Sequence, residues 1–333
     1  MPVRILQLLS AVGLMASPAW AHHSEAGFNV DSVIAFTGTV TDVAWRNPHV
    51  YFKVESNTSS GETVEWEVET GAIPLLARSG WHRESLRPGD RITVRGHPAR
   101  EIGRRYALLL SLEKADGSVL QQTIANSEAS GAASSLTGTW KGNLSNLADL
   151  ASGFRSIPLT PKGRAAQESF DVNSENPVAR CIAYPTPAII VGSGFWLNQI
   201  EVAADVVRLR SEWFDVERTV YMDGREHPDD SERTIQGHSI GWWEGDTLVV
   251  DTTLFADHRS PYQTGTPSGA EKHVMERYFL SDDGRRIAVE FTLEDPEYLA
   301  DTFSGSVEWV YRPDLEFFRF NCDPAVSSQY VPR

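Results

Sequence analysis

Gly237-His238-Ser239-Ile240-Gly241-Trp242-Trp243-Glu244-Gly245-Asp246-Thr247-Leu248-Val249-Val250-Asp251-Thr252 decides the fold. Two runs rich in β-branched and aromatic side chains flank Gly245-Asp246, a Gly-first two-residue turn, and together they specify a β-hairpin. With Glu244 paired to Thr247, His238 faces Thr253, Ile240 faces Asp251 and Trp242 faces Val249. Outward from it, further strands are expected at Phe195–Glu201, Val206–Trp213, Glu217–Met222, Lys272–Leu280, Arg286–Leu293, Ser306–Tyr311 and Glu316–Phe320. The turn signals between strands are Asp223-Gly224, Asp282-Asp283-Gly284 and Pro313-Asp314. Short connections make chain neighbours antiparallel, which predicts a meander closed into a barrel. Residues 141–194, rich in Pro and Gly, read as irregular.

The first half reads β-β-β-α-β-β. Its strands are Val33–Ala44, His49–Glu55, Thr63–Thr70, Arg91–Gly96 and Tyr106–Leu112, with a helical turn at Ile73–Ser79. Five strands with a helix between the third and fourth follow the order of an OB-like barrel. Residues 124–138 are small and polar, a linker composition. Gly138-x-Trp140 resembles the opening of lipocalin-like barrels. The expectation is therefore a mainly β protein. An OB-like five-stranded barrel over 22–123 and a linker over 124–138 precede a lipocalin-like antiparallel β-barrel over 139–333.

The chain has 333 residues, 41% hydrophobic and 23% charged, with net charge −15. Residues 22–123 carry 13 acids and 11 bases, and residues 136–333 carry 31 and 18. So acidic a surface repels phosphate backbones, and the strands lack a basic, aromatic face, which argues against nucleic-acid binding. Met1-Pro2-Val3-Arg4, the apolar run Ile5–Ala16 and Ala19-Trp20-Ala21 read as a signal peptide over 1–21. The run is too short to span a bilayer, and no later segment is long and apolar enough, so a soluble, periplasmic or secreted protein is expected. Cys181 and Cys322 make an even pair, read in such a compartment as one disulfide; two buried thiols are the alternative.

Ala21-His22-His23-Ser24, Trp45-Arg46-Asn47-Pro48-His49, Tyr221-Met222-Asp223-Gly224-Arg225-Glu226-His227-Pro228 and the hairpin quoted above resemble a family of secreted bacterial proteins of unknown function. Its members begin the mature chain with His-His-Ser and carry a Trp-x-Asn-Pro-His segment. The resemblance implies an exported, β-rich protein and brings no reaction.

Two constellations carry chemistry. Cleavage after Ala21 makes His22 the first residue, with a free α-amine and an imidazole Nδ1 on one residue. That pair chelates a single copper ion when another ring completes a three-nitrogen set, and nitrogen donors suit Cu(II). His23 supplies a neighbouring ring, His49 is the expected third ligand, and His82 and His97 are reserves. A solvated chain end is the competing reading. In the second half, His238 and Asp251 lie diagonally on one hairpin face. Tyr221 with Asp223 and His273 with Arg277 are candidates for the same wall. A carboxylate beside an imidazole makes a usable acid–base pair; strand-end surface residues are the plainer reading. Of Trp242 and Trp243, one indole is expected in the core and the other at a ligand site or a domain junction. Gly237-His238-Ser239-Ile240-Gly241 matches the nucleophile-elbow pattern, but a hairpin follows it where that turn needs a helix.

The function expected first is an exported binding protein. Its larger barrel would hold a small, largely apolar molecule, and copper would sit at the N-terminal histidines. One alternative is a cofactor-free lyase, isomerase or hydrolase with His238 as base and Tyr221 as proton donor. The other is a structural or assembly module, signalled by a barrel filled with its own side chains.

Overall fold

The computed structural model describes residues 27–122, 127–144, 147–229 and 232–327. The signal-peptide reading, His22 and His23 lie outside them. Strand β1 (Ile34–Ala44) alternates, so one face turns inward. A bulge between Val40 and Asp42 bends it, and it pairs with both β2 (Tyr51–Asn57) and β4 (Arg91–Pro98). β2 continues to β3 (Thr63–Glu69), and β4 to β5 (Tyr106–Lys114). Parallel pairing of β3 with β5 closes a five-stranded barrel. Helix α1 (Ile73–Arg78) lies between β3 and β4 in the chain and buries Leu76 among Phe52, Val54, Val68 and Val94. A short β6 (Val119–Gln121), absent from the sequence reading, extends β5 at its edge.

The larger barrel has nine strands among the described residues, each beside its neighbour in the chain. They are β7 (Gly138–Gly142), β8 (Leu197–Val202), β9 (Val206–Ser211), β10 (Val216–Tyr221), β11 (His238–Glu244), β12 (Thr247–Thr253), β13 (His273–Leu280), β14 (Arg286–Glu294) and β15 (Phe303–Tyr311). β15 pairs with β7 to close the ring. The expected hairpin register holds at every pair named above, from His238↔Thr253 to Glu244↔Thr247. All joints are antiparallel except β10–β11, which is parallel because residues 222–237 cross back before β11 begins. Gly138 has φ +155°, and a Cβ there would stand 2.6 Å from the Tyr311 ring, so only glycine lets Trp140 turn inward. Trp140 is fully buried, and its indole donates to Leu136 O.

Two expectations are corrected. Residues 141–194 contain helices, among them α2 (Leu147–Ser156) and α3 (Pro161–Glu168). α2 brings Phe154 into a parallel stack on Tyr262, 5.0 Å between centroids, and against Phe303. α3 has a legible start, Thr160 as N-cap accepting from Gly163 N with Pro161 in the first turn. Glu316–Phe320 is not a strand. It runs as an extended tail whose N–H groups are taken by carboxylates: Phe318 N donates to Glu212, and Phe320 N to Asp215.

That tail meets the first barrel. Asn47 donates to Phe320 O and accepts from Ile73 N at 2.8 Å, while Asp323 N donates to Asn47 O. Arg46 pairs with Asp323 at 2.7 Å. Cys181 and Cys322 form the expected disulfide, with Cα atoms 5.8 Å apart. Ala72, Trp196 and Phe320 form an apolar cluster at the same junction. No helix among the described residues is long and apolar enough to cross a membrane.

Candidate functional site

His49 stands two residues before β2. Its Nδ1 lies 2.9 Å from Thr70 O. A carbonyl oxygen only accepts, so Nδ1 carries the proton and Nε2 keeps its lone pair. Among the described residues Nε2 has no hydrogen-bond partner. The buried Glu69 carboxylate is 3.5 Å from the same Nδ1 and accepts from the Tyr106 hydroxyl. Burial, with Glu69 adding to it, raises the Tyr106 pKa, so this phenol stays protonated. Tyr51, Tyr106 and Phe28 pack as one cluster, and His49 stands edge-on to Tyr51. Phe28 is therefore anchored in the cluster whose Tyr51 ring borders His49. Of the reserves, His97 donates from Nδ1 to Ser32 O, and His82 is exposed in the turn after α1.

In the larger barrel, alternation puts Ser239, Thr252, Glu276 and Tyr278 inside. The candidates Tyr221, His238, Trp242, Asp251, His273 and Arg277 lie on the outer face. They share the outside of the wall and do not face the interior. The interior holds a buried ion pair that the sequence reading missed. Arg218 donates to both Glu276 oxygens, at 3.0 and 2.5 Å, and to Ser239 Oγ and Thr252 Oγ1. Tyr278 donates to Glu276 at 2.6 Å. A half-open pocket of about 20 Å³ lies beside Arg218, Ile190, Leu209 and Trp309.

The outer face carries a chain of imidazoles. His227, in the crossover, was quoted in a sequence motif but not chosen as a candidate. Its Nδ1 is 2.9 Å from Nδ1 of His238. His227 Nε2 faces Asp251 Oδ1 at 3.5 Å, an electrostatic contact too long for a good hydrogen bond. His273 Nε2 donates to the same oxygen at 2.7 Å, and His273 Nδ1 is 3.8 Å from Glu294. The ring of His238 stacks on Tyr221, 5.2 Å between centroids, and the Arg225 guanidinium lies 3.9 Å from the Tyr221 ring centre.

These surroundings split the two outer imidazoles. Burial, helped by His227 and Arg225, lowers the His238 pKa, whereas the hydrogen bond to Asp251 raises that of His273. Burial alone would raise the Asp251 pKa, but His273 and His227 hold it below the usual carboxylate value. Asp223 is taken by Arg225, whose hydrogen bonds lower its pKa to about 2, so it is a partner of that arginine and stands apart from the imidazole chain. Two imidazoles whose pKa values are pushed apart, linked through His227 and Asp251, are a workable base and acid. Asp251 and His273 join the chain through Nε2 atoms, so they do not converge with the facing Nδ1 pair. Among the described residues no three His, Cys, Asp or Glu groups form a metal cluster.

Both tryptophans are exposed, Trp242 at 39% and Trp243 at 45%. The expectation that one is core is corrected: they stand beside the hairpin turn, at the exposed end of β11. Trp242 donates to Glu244, which also accepts from Arg277 at 2.8 Å.

Residues 11–108 match a family of unknown function, DUF6152. That stretch takes in most of the first barrel and Trp45-Arg46-Asn47-Pro48-His49; the hairpin of the second barrel lies beyond it. No curated protein matches the chain.

Proposed function

We propose that this is an exported copper-binding protein, with the ion held at the first barrel once a signal peptide is removed after Ala21. The ligands are the α-amine and Nδ1 of His22 and Nε2 of His49, with the ring of His23 adjacent. The observation that carries this reading is the contact of His49 Nδ1 with Thr70 O at 2.9 Å. Nδ1 donates to Thr70 O with a buried carboxylate behind it, the outer arrangement that fixes the tautomer of a metal-binding histidine. Nε2 is left as the free donor atom. Support also comes from Phe28, packed in the cluster beside His49. His22 is six residues before it, so the chain reaches at most about 20 Å from that anchor. Copper bound there would gain nitrogen ligands only, the set that favours Cu(II) over softer-ligand metals.

The test compares protein exported and cleaved by the cell with a copy carrying three extra residues, none of them His, before His22, so that no His falls within the first three positions. The cleaved copy should bind one more equivalent of Cu(II) than the extended copy, with nitrogen hyperfine structure in its EPR spectrum. His49→Ala in the cleaved copy should weaken that equivalent at least tenfold. Equal copper in the cleaved and extended copies, or no effect of His49→Ala, overturns the reading.

A further inference from the structure

We propose a second metal site on the outer face of the larger barrel, for Cu(II) or Ni(II), with Nδ1 of His227 and Nδ1 of His238 as its protein ligands. The two atoms are 2.9 Å apart and their rings are inclined at 73°. Metal–imidazole bonds of about 2.0–2.1 Å at a right angle separate two nitrogens by about 2.9 Å, whereas a tetrahedral angle needs about 3.4 Å. The observed spacing fits adjacent corners of a tetragonal site, the geometry of Cu(II) and Ni(II) with nitrogen and oxygen ligands.

The supporting groups also fit. Behind His227, Nε2 faces Asp251 at 3.5 Å, and Asp251 is held in turn by His273. At that distance the carboxylate acts on the His227 ring through its charge, which strengthens the imidazole as a donor. Behind His238, the stack with Tyr221 sets the ring plane, with Arg225 against the same phenol. His238 begins β11, and His227 lies in the crossover that makes β10–β11 parallel. An ion between them would staple that crossover to the barrel wall. Two protein ligands leave adjacent coordination positions for water or for a carboxylate or amine of a bound molecule. The competing explanation is a plain Nδ1–H···Nδ1 hydrogen bond, which the same distance allows.

The site uses no residue of the chain's beginning, so it stands or falls apart from the copper site proposed above. The copy with three extra non-His residues before His22 isolates it. Titrated with Cu(II), that copy should bind one equivalent with two-nitrogen hyperfine structure. His227→Gln and His238→Gln, each made singly, should weaken it at least tenfold, and His49→Ala should leave it unchanged. Circular dichroism and melting without metal establish that each variant is folded. Failure of the extended copy to bind copper, or unchanged binding in either glutamine variant, leaves only the hydrogen bond and overturns the proposal.

Discussion

Lys272 immediately precedes β13 and points inward by the same alternation that buries Val274 and Glu276. It is 1% exposed, and its Nζ has no hydrogen-bond partner among the described residues. The amine instead stands 4.2 Å from the Phe255 ring centre and 5.2 Å from that of Tyr262. Burial pushes its pKa down to about 7, against the partial help of Asp295. In the unfolded chain a lysine titrates near 10.4. Between those values the unfolded state binds the extra proton, so Lys272 makes stability rise from about pH 7 toward pH 10. Well below pH 7 the native state bears the full cost, at most about 5 kcal/mol. Lys272→Met keeps the apolar stem and removes that cost. Urea unfolding at pH 7 should show a more stable variant, and the difference from wild type should shrink as pH approaches 10. A variant less stable at pH 7, or a difference independent of pH, would show that the amine is paired in solution.

At the scale of elements, the Asn-Pro-His segment is a clamp as well as a strand entry. Asn47 alone satisfies Ile73 N at the start of α1 and Phe320 O in the tail. Asn47→Ala leaves both buried groups unpaired, a loss of about 1–3 kcal/mol. Amide exchange should speed up at Ile73 and in the tail from Phe320 to Asp323, while the strands of the first barrel keep their protection. Unchanged exchange in the tail would mean that the aromatic cluster alone holds it. The hairpin around Gly245-Asp246 was legible residue by residue because a two-residue turn fixes register, and register fixes which side chains share a face. It does not fix which face is inside. Ser239, Gly241 and Thr252 are small and His238, Ile240 and Trp242 large, yet the small set faces inward, because Arg218 and Glu276 fill the space between them. Those two charges come from strands far apart in the chain, and no local pattern announces their pairing. The tail misread as a strand failed for a related reason. Its alternation is real, but Glu212 and Asp215 supply the acceptors that a neighbouring strand would have provided.

At the scale of the molecule, Glu212 is the joint between the barrels. It is completely buried and accepts four hydrogen bonds: two from Arg78 of the first barrel at 2.9 and 2.7 Å, and one each from Leu197 N and Phe318 N. Around it lie Trp196 and Phe320, and the disulfide ties the tail to the turn ending at Cys181. Each contact crosses from one domain to the other or steadies the segment that does, so the oxidised protein should unfold in one calorimetric transition. Arg78→Met removes the only ion-pair partner of Glu212 among the described residues and leaves its buried carboxylate on two backbone donors. Breaking a buried pair from one side costs about 3–5 kcal/mol. The interface bears that cost, because Arg78 ends α1 at the surface of its own barrel, so the single transition should split, with one barrel melting below the other. Adding Glu212→Gln removes the stranded charge, and the double variant should recover part of the loss. One undivided transition in Arg78→Met, or a double variant no better than the single, would show that the tail and its aromatic cluster couple the barrels without the ion pair.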